Sequence, residues 1–115
     1  MSTNLVSWIL LALVVGFMLW NRFAGKTSSA DAKALVASGA ALVDVRSPGE
    51  YAGGHIPGAI NIPVDQVRTR AAELGDKGRP VVVYCRSGAR SASAASTLRA
   101  LGFAKVADLG PMSAW

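Results

Sequence analysis

The chain has 115 residues, with 12 Lys and Arg against 7 Asp and Glu for a formal net charge of +5, and it holds one cysteine and one histidine. That length suits one domain. A single Cys excludes an internal disulfide, and one Cys with one His excludes a zinc cluster. The basic residues are spread along the chain without a run and without interleaved aromatics, which argues against a nucleic-acid surface.

In chain order, residues 1–21 carry no charged side chain, and Leu5 to Trp20 reads LVSWILLALVVGFMLW. As a helix this run spans about 24 Å. Extended from Thr3 through Asn21, it nears the roughly 30 Å of a bilayer's hydrocarbon core. Trp8 and Trp20 stand near its ends, where amphipathic rings favour the membrane interface. A cleaved signal peptide needs a basic stretch before the apolar core, and none precedes it here. A core helix would need a polar face, which the segment lacks. The expectation is a transmembrane anchor over 1–23 and a polar linker over 24–29, with a domain over 30–115. Arg22 and Lys26 follow the apolar run, so the positive-inside rule places the domain in the cytoplasm. A reducing cytoplasm also suits a lone thiol.

Ser28 or Ser29 can cap a helix over Ala30 to Ala37, ended by Gly39. Ala41 to Val45 is a short apolar run that reads as a buried strand. Pro48 can start a short helix, since its missing N–H costs nothing at the first helical position. Gly53 to Ala59 is turn-rich, and Ile60 to Pro63 is a short strand stopped by proline. Asp65 can cap a helix to about Leu74, with Val67, Ala71 and Leu74 on one face. After a loop from Gly75 to Pro80, Val81 to Tyr84 is the strongest strand, continuous and β-branched. Ser87 to Leu101 reads as a helix ended by Gly102, and Lys105 to Leu109 as a last strand. Strands alternating with helices over short connections indicate an α/β fold: a mostly parallel sheet with helices on both faces.

The single Cys85 ends the valine-rich strand, and the small loop RSGAR follows it. Ligands of open α/β sheets bind outside the carboxyl ends of the strands. The unpaired N–H groups of a helix start favour negative charge there and lower a thiol's pKa. Gly88 lets the loop turn tightly, and Ser87, Ala89 and Ser91 are too small to block it. Arg86 and Arg90 add positive charge, which points to a small anionic substrate. A cysteine after three valines alone would be a buried hydrophobe, but such a residue has no need of two arginines and a glycine beside it. Cysteine phosphatases place five residues between Cys and Arg. Four stand between Cys85 and Arg90, a shorter loop that suits a smaller group such as a sulfane sulfur and argues against a phosphatase or arsenate reductase.

These motifs together resemble the rhodanese family of sulfurtransferases. VDVRSPGEYAGGHIPGAINIP from Val43 is similar to the family's first signature. VVVYCRSGARSASAASTLRALGF from Val81 is similar to its active-site strand, loop and helix. VADLGPMSAW from Val106 is similar to its closing segment, which often has a second Gly where Pro111 stands and commonly runs on for another helical turn beyond the position of Trp115. The resemblance implies a three-layer rhodanese-like domain, preceded here by the transmembrane helix. It implies that Cys85 takes a sulfane sulfur from a donor such as thiosulfate as a persulfide and passes it to cyanide or a thiol, without metal or organic cofactor. It implies that Arg86, Ser87, Gly88, Ala89 and Arg90 bind the donor, with Asp44 and Arg46 as support. Arg46 is expected to pair with Glu50, and Asp44 to hydrogen-bond backbone. His55, Tyr51, Met112 and Trp115 are expected to be structural. The rival reading is a non-catalytic module that carries a persulfide or binds a protein partner.

Overall fold

Strand and helix formation in this chain follows the placement of its valines and alanines. A computed structural model describes residues 2–23 and 26–115, with the side chains of 4–16 and 26–115. The elements are α1 (Ser2–Phe23), α2 (Ser29–Ala37), β1 (Ala41–Asp44), α3 (Pro48–Ala52), β2 (Ile60–Asn61), α4 (Val67–Arg70), β3 (Val81–Cys85), α5 (Ala89–Ala100) and β4 (Val106–Pro111). The four strands form one parallel sheet in the order β2-β1-β3-β4.

Side chains alternate across a strand, and the sheet is buried on both sides. One face carries Ala41, Val43, Val81, Val83 and Cys85, packed with Leu98, Ala94 and Ala95 of α5 and with Val67 and Leu74. The other carries Leu42, Val82 and Tyr84, packed with Ala32 of α2, Ile56 and Leu109. Burial on both faces explains why β3 is an unbroken apolar run and does not alternate. It also sends Cys85 to the α5 side, on the same face as Val81 and Val83.

Local signals explain most boundaries. The Ser28 hydroxyl accepts the Asp31 N–H and caps α2, and Gly39 past its end takes φ 109°. Ser47 and Glu50 close a capping box over Pro48 at the start of α3. The expected single helix over 65–74 is instead three short pieces. α4 lies between 3-10 turns at Val64–Gln66 and Ala71–Leu74, and the Asp65 side chain caps none of them. The backbone departs from α geometry at Gln66 (φ −107°) and Arg70 (φ −108°). The inward face survives, because Val67, Ala71 and Leu74 are all buried. α5 starts two residues later than expected, which leaves Ser87 and Gly88 to the loop. β4 extends to Pro111 with a bulge, so that Val83 faces Asp108 but Tyr84 faces Gly110.

In its described part α1 exposes Leu5, Trp8, Leu11 and Val15 alike, so no face of it is buried. The membrane span expected over 1–23 runs past the described side chains at both ends, and residues 24 and 25 of the expected linker lie outside the described residues. Among the described residues no helix is long and apolar enough to cross a membrane.

Leu98 fastens α5 to the sheet and is 1% exposed. Leu98→Ala should cost about 2–5 kcal/mol. The denaturant midpoint should fall with an unchanged slope, and a midpoint like that of the wild type would show that the α5 contact does not hold the fold.

Candidate active site

Cys85 is the last residue of β3, and α5 begins four residues later, so the chain reverses sharply around the sulfur. Gly88 makes this turn possible. Its φ of 103° lies in the left-handed region that side chains rarely adopt. The Gly88 N–H donates to Cys85 Sγ at 2.9 Å, and the Ser91 N–H donates at 3.3 Å. The Ser91 hydroxyl, fully buried, donates to the Gly88 carbonyl at 3.0 Å and stiffens the same turn. Cys85 itself has no exposed surface, so the sulfur forms the floor of the loop, while Arg86, Ser87 and Ala89 are exposed above it.

Burial alone pushes the Cys85 thiol up. The Ser91 hydroxyl and the N–H groups of Ser91, Gly88 and Ser87 pull it down and prevail, so the thiol titrates below its ordinary value. The hydroxyl has one proton, which serves the Gly88 carbonyl in this geometry and can turn to a charged sulfur. Backbone donors fixed by a buried turn are what an anionic sulfur needs.

The charges around the loop are arranged differently from the expected pairing. Arg46 does not pair with Glu50. It turns inward to Asp44, with Nη2 at 2.7 Å from Oδ2, and also donates to the Gly54 carbonyl at 2.6 Å. Asp44 is fully buried, so a carboxylate there requires a charged partner within reach, and Arg46 two residues on supplies it. Asp44 does accept a backbone N–H as expected, from Arg46 at 2.9 Å. Asn61 ties the same corner by donating to the carbonyls of Asp44 and Arg46. Glu50 instead engages Arg90. Nη1 lies 2.6 Å from Oε1 and Nη2 3.0 Å from Oε2, a two-pronged pair across 40 residues. Arg90, expected to bind the donor, thus has both ends of its guanidinium engaged. Arg90 and then the Ser47 N–H hold the Glu50 carboxyl at about 2.

The remaining predicted residues fall as follows. Among the described residues Arg86 makes no side-chain hydrogen bond. His55 is exposed, stacks on Tyr51 with ring centres 3.7 Å apart, and sets Nδ1 2.8 Å from the Tyr51 carbonyl. Tyr51 donates to the Ala59 carbonyl, and Met112 and Trp115 pack on the Tyr84 face of the sheet. Sequence reasoning missed the Glu50–Arg90 pair. The SPGE capping box was a readable signal for the position of Glu50, but nothing local announces a partner 40 residues away. A cavity of about 270 Å³ opens beside Arg90, between Ser47–Pro48 and Pro63–Gln66. A larger one, about 500 Å³, follows the outer edge of β4 and includes none of the residues of the loop. Among the described residues no three His, Cys, Asp or Glu side chains gather into a set that could hold a metal ion.

The rhodanese-like domain family matches residues 28–115. The chain belongs to that family. A sulfurtransferase of Allochromatium vinosum is 45% identical over 75 residues, covering 64% of this chain and 69% of that protein. The thiosulfate sulfurtransferase PspE of Escherichia coli is 41% identical over 69 residues, covering 59% of this chain and 66% of that one. The chain therefore spans about two thirds of the length of these relatives. The human single-domain sulfurtransferase TSTD1 superposes with a TM-score of 0.68 at 33% identity, over 80% of this chain and 92% of that structure. The rhodanese-like fold, with its parallel sheet and helices on both faces, is thus shared by this chain and that similar structure.

The Glu50–Arg90 pair carries a pH signature. The carboxyl of Glu50 is held at about 2 in the folded chain against an ordinary value of 4.5. A depressed folded value stabilises above the unfolded one, and the contribution disappears as pH falls through the folded one. Wild type should therefore exceed Glu50→Gln in thermal stability at neutral pH, and the gap should close between about pH 4.5 and 2. A gap that is constant across this range would remove the ion pair as its cause.

Proposed function

We propose that this rhodanese-like chain is a sulfurtransferase working through a persulfide on Cys85. The observation that carries the reading is the sulfur at the loop floor, accepting N–H groups from Gly88 and Ser91. The names of the relatives support the reaction class, and PspE supports thiosulfate as the donor.

The Cys85 thiolate attacks the outer sulfur of thiosulfate. A Cys85 sulfur–sulfur bond forms, the sulfur–sulfur bond of thiosulfate breaks, and its electron pair leaves with sulfite. Charge is conserved, since the persulfide keeps one negative charge and sulfite carries two. Cyanide or a thiolate then attacks the outer sulfur of the persulfide and restores the Cys85 thiolate, which gives ping-pong kinetics. The donors that hold the thiolate also serve the persulfide anion. Arg86, Ser87, Gly88, Ala89 and Arg90 form the donor's surroundings, while Asp44 and Arg46 brace the corner below. No side chain is assigned as a general base, because the donors around the sulfur lower the thiol's pKa and favour its ionised form.

Residues 1–23 are proposed to hold the domain at a membrane as a single span with the domain on the cytoplasmic side. The run of apolar residues without charge, the cations that follow it and the exposed apolar side chains in the described part of α1, Leu5 to Val15, support this.

Incubation with thiosulfate and cyanide should yield thiocyanate, and Cys85→Ser should reduce it to background. With thiosulfate alone, intact mass should rise by about 32 Da, one sulfur added to a thiol, and cyanide should remove it. Full turnover in Cys85→Ser would falsify the mechanism. A mass gain without turnover would instead favour the carrier reading. For the anchor, a tagged full chain should remain with membranes after an alkaline wash, and removal of residues 1–23 should release it. A full chain recovered in the soluble fraction would sink the anchor and leave the chemistry untouched.

A further inference from the structure

The segment before α2 reaches back to the cradle. The Thr27 N–H donates to the Asp108 carbonyl at 2.8 Å, which straps the segment to the outer edge of β4. This brings Lys26 to the carboxyl ends of the strands. Its Nζ lies 3.3 Å from Asp108 Oδ2, while Oδ1 of that carboxylate accepts the Gly110 N–H at 2.9 Å. Gly110 precedes Pro111, the register partner of Cys85.

The two glycines define where the ammonium sits. A Cβ at Gly88 would stand 3.1 Å from Lys26 Nζ, and a Cβ at Gly110 would stand equally close. The ammonium thus occupies a notch that any side chain at either position would fill. Gly88 is also the residue whose N–H donates to Cys85 Sγ. Lys26 therefore abuts the peptide that holds the sulfur.

Two of the other cations near the loop are engaged, while Arg86 stands exposed in the loop itself. Arg46 is buried against Asp44, and Arg90 has both prongs on Glu50. An ammonium has three donors, and Asp108 engages Lys26 by a single contact. The Asp108 side chain is 2% exposed whereas that of Lys26 is 55% exposed, so the carboxylate faces inward and the cation outward.

We propose that Lys26 belongs to the active site, as a rim cation that draws an anionic sulfur donor into the Cys85 loop. The proposal deepens the sulfurtransfer reading and rests on it for the donor's chemistry. Lys26 comes from outside the strand–loop–helix unit that carries Cys85 and residues 86–90.

Two alkylating reagents of similar size test the charge separately from turnover. Iodoacetate is anionic and iodoacetamide neutral. Cys85 is buried, so both must enter by the same route, and the ratio of their rates cancels access and thiolate fraction. In Lys26→Met, at low salt and fixed pH, the iodoacetate to iodoacetamide ratio should fall about threefold, the effect of losing one unit charge at several ångströms near a wet surface. Lys26→Arg should keep the wild-type ratio, and added salt should bring the wild type toward the Met variant. Steady-state assays should show a raised KM for thiosulfate in Lys26→Met with kcat little changed. An unchanged alkylation ratio in Lys26→Met overturns the proposal. Absence of thiosulfate turnover in wild type would count against the sulfurtransfer reading instead, and the ratio would still decide the role of Lys26.

Discussion

Two N–H groups donating to one sulfur set the requirements for the rest of the domain. They point inward only because Gly88 takes a left-handed turn and α5 starts directly after it. α5 stays there because Leu98, Ala94 and Ala95 are buried on the α5 face of the sheet. The sulfur is presented at that spot because β3 ends in Cys85 on the same face as Val81 and Val83. Burial raises the cost of a charged sulfur, and the fixed donors offset it. A loop that turned less tightly would leave the desolvation and lose the compensation.

The charges follow a related logic. Each anion near the loop is assigned a cation, and the pairings differ in depth. Asp44 and Arg46 form a buried pair braced by Gly54 and Asn61, suited to holding the end of β1 in shape. Glu50 and Arg90 lie nearer the surface and join α3 to the start of α5, two segments 40 residues apart that flank the loop. A buried ion pair is weak evidence for stability, since desolvation opposes it. Its role here is geometric. It fixes which guanidinium faces inward and leaves a different cation for the rim.

Much of this is legible in the amino-acid sequence. Three valines in a row, Cys85 and a small glycine loop identify a buried parallel strand feeding a helix, and the sheet has that form. The alternation of short strands and helices gives the layers on both faces. Other features depend on three-dimensional neighbours. The segment from Val64 to Leu74 carries a helical apolar face, yet it is broken by 3-10 turns, because burial of Val67, Ala71 and Leu74 constrains side chains more than backbone. Arg46 and Glu50 have the spacing of a helical pair (i, i+4), but Asp44 is buried and closer to hand. Lys26 reads from the sequence as a linker residue beside an apolar run, and only the strap to Asp108 brings it to Gly88.

That strap also limits how far apart two proposed functions can be. Phe23 ends α1 and Lys26 abuts the loop, so only two residues stand between the proposed anchor and the active-site rim. The three Cα–Cα steps from Phe23 to Lys26 reach at most about 11 Å at full extension. Whatever path residues 24 and 25 take, the end of α1 cannot lie far from the mouth over Cys85. If α1 lies in a bilayer, sulfur transfer takes place close to the membrane surface. An acceptor held at that surface then meets the persulfide at a higher local concentration than one free in solution.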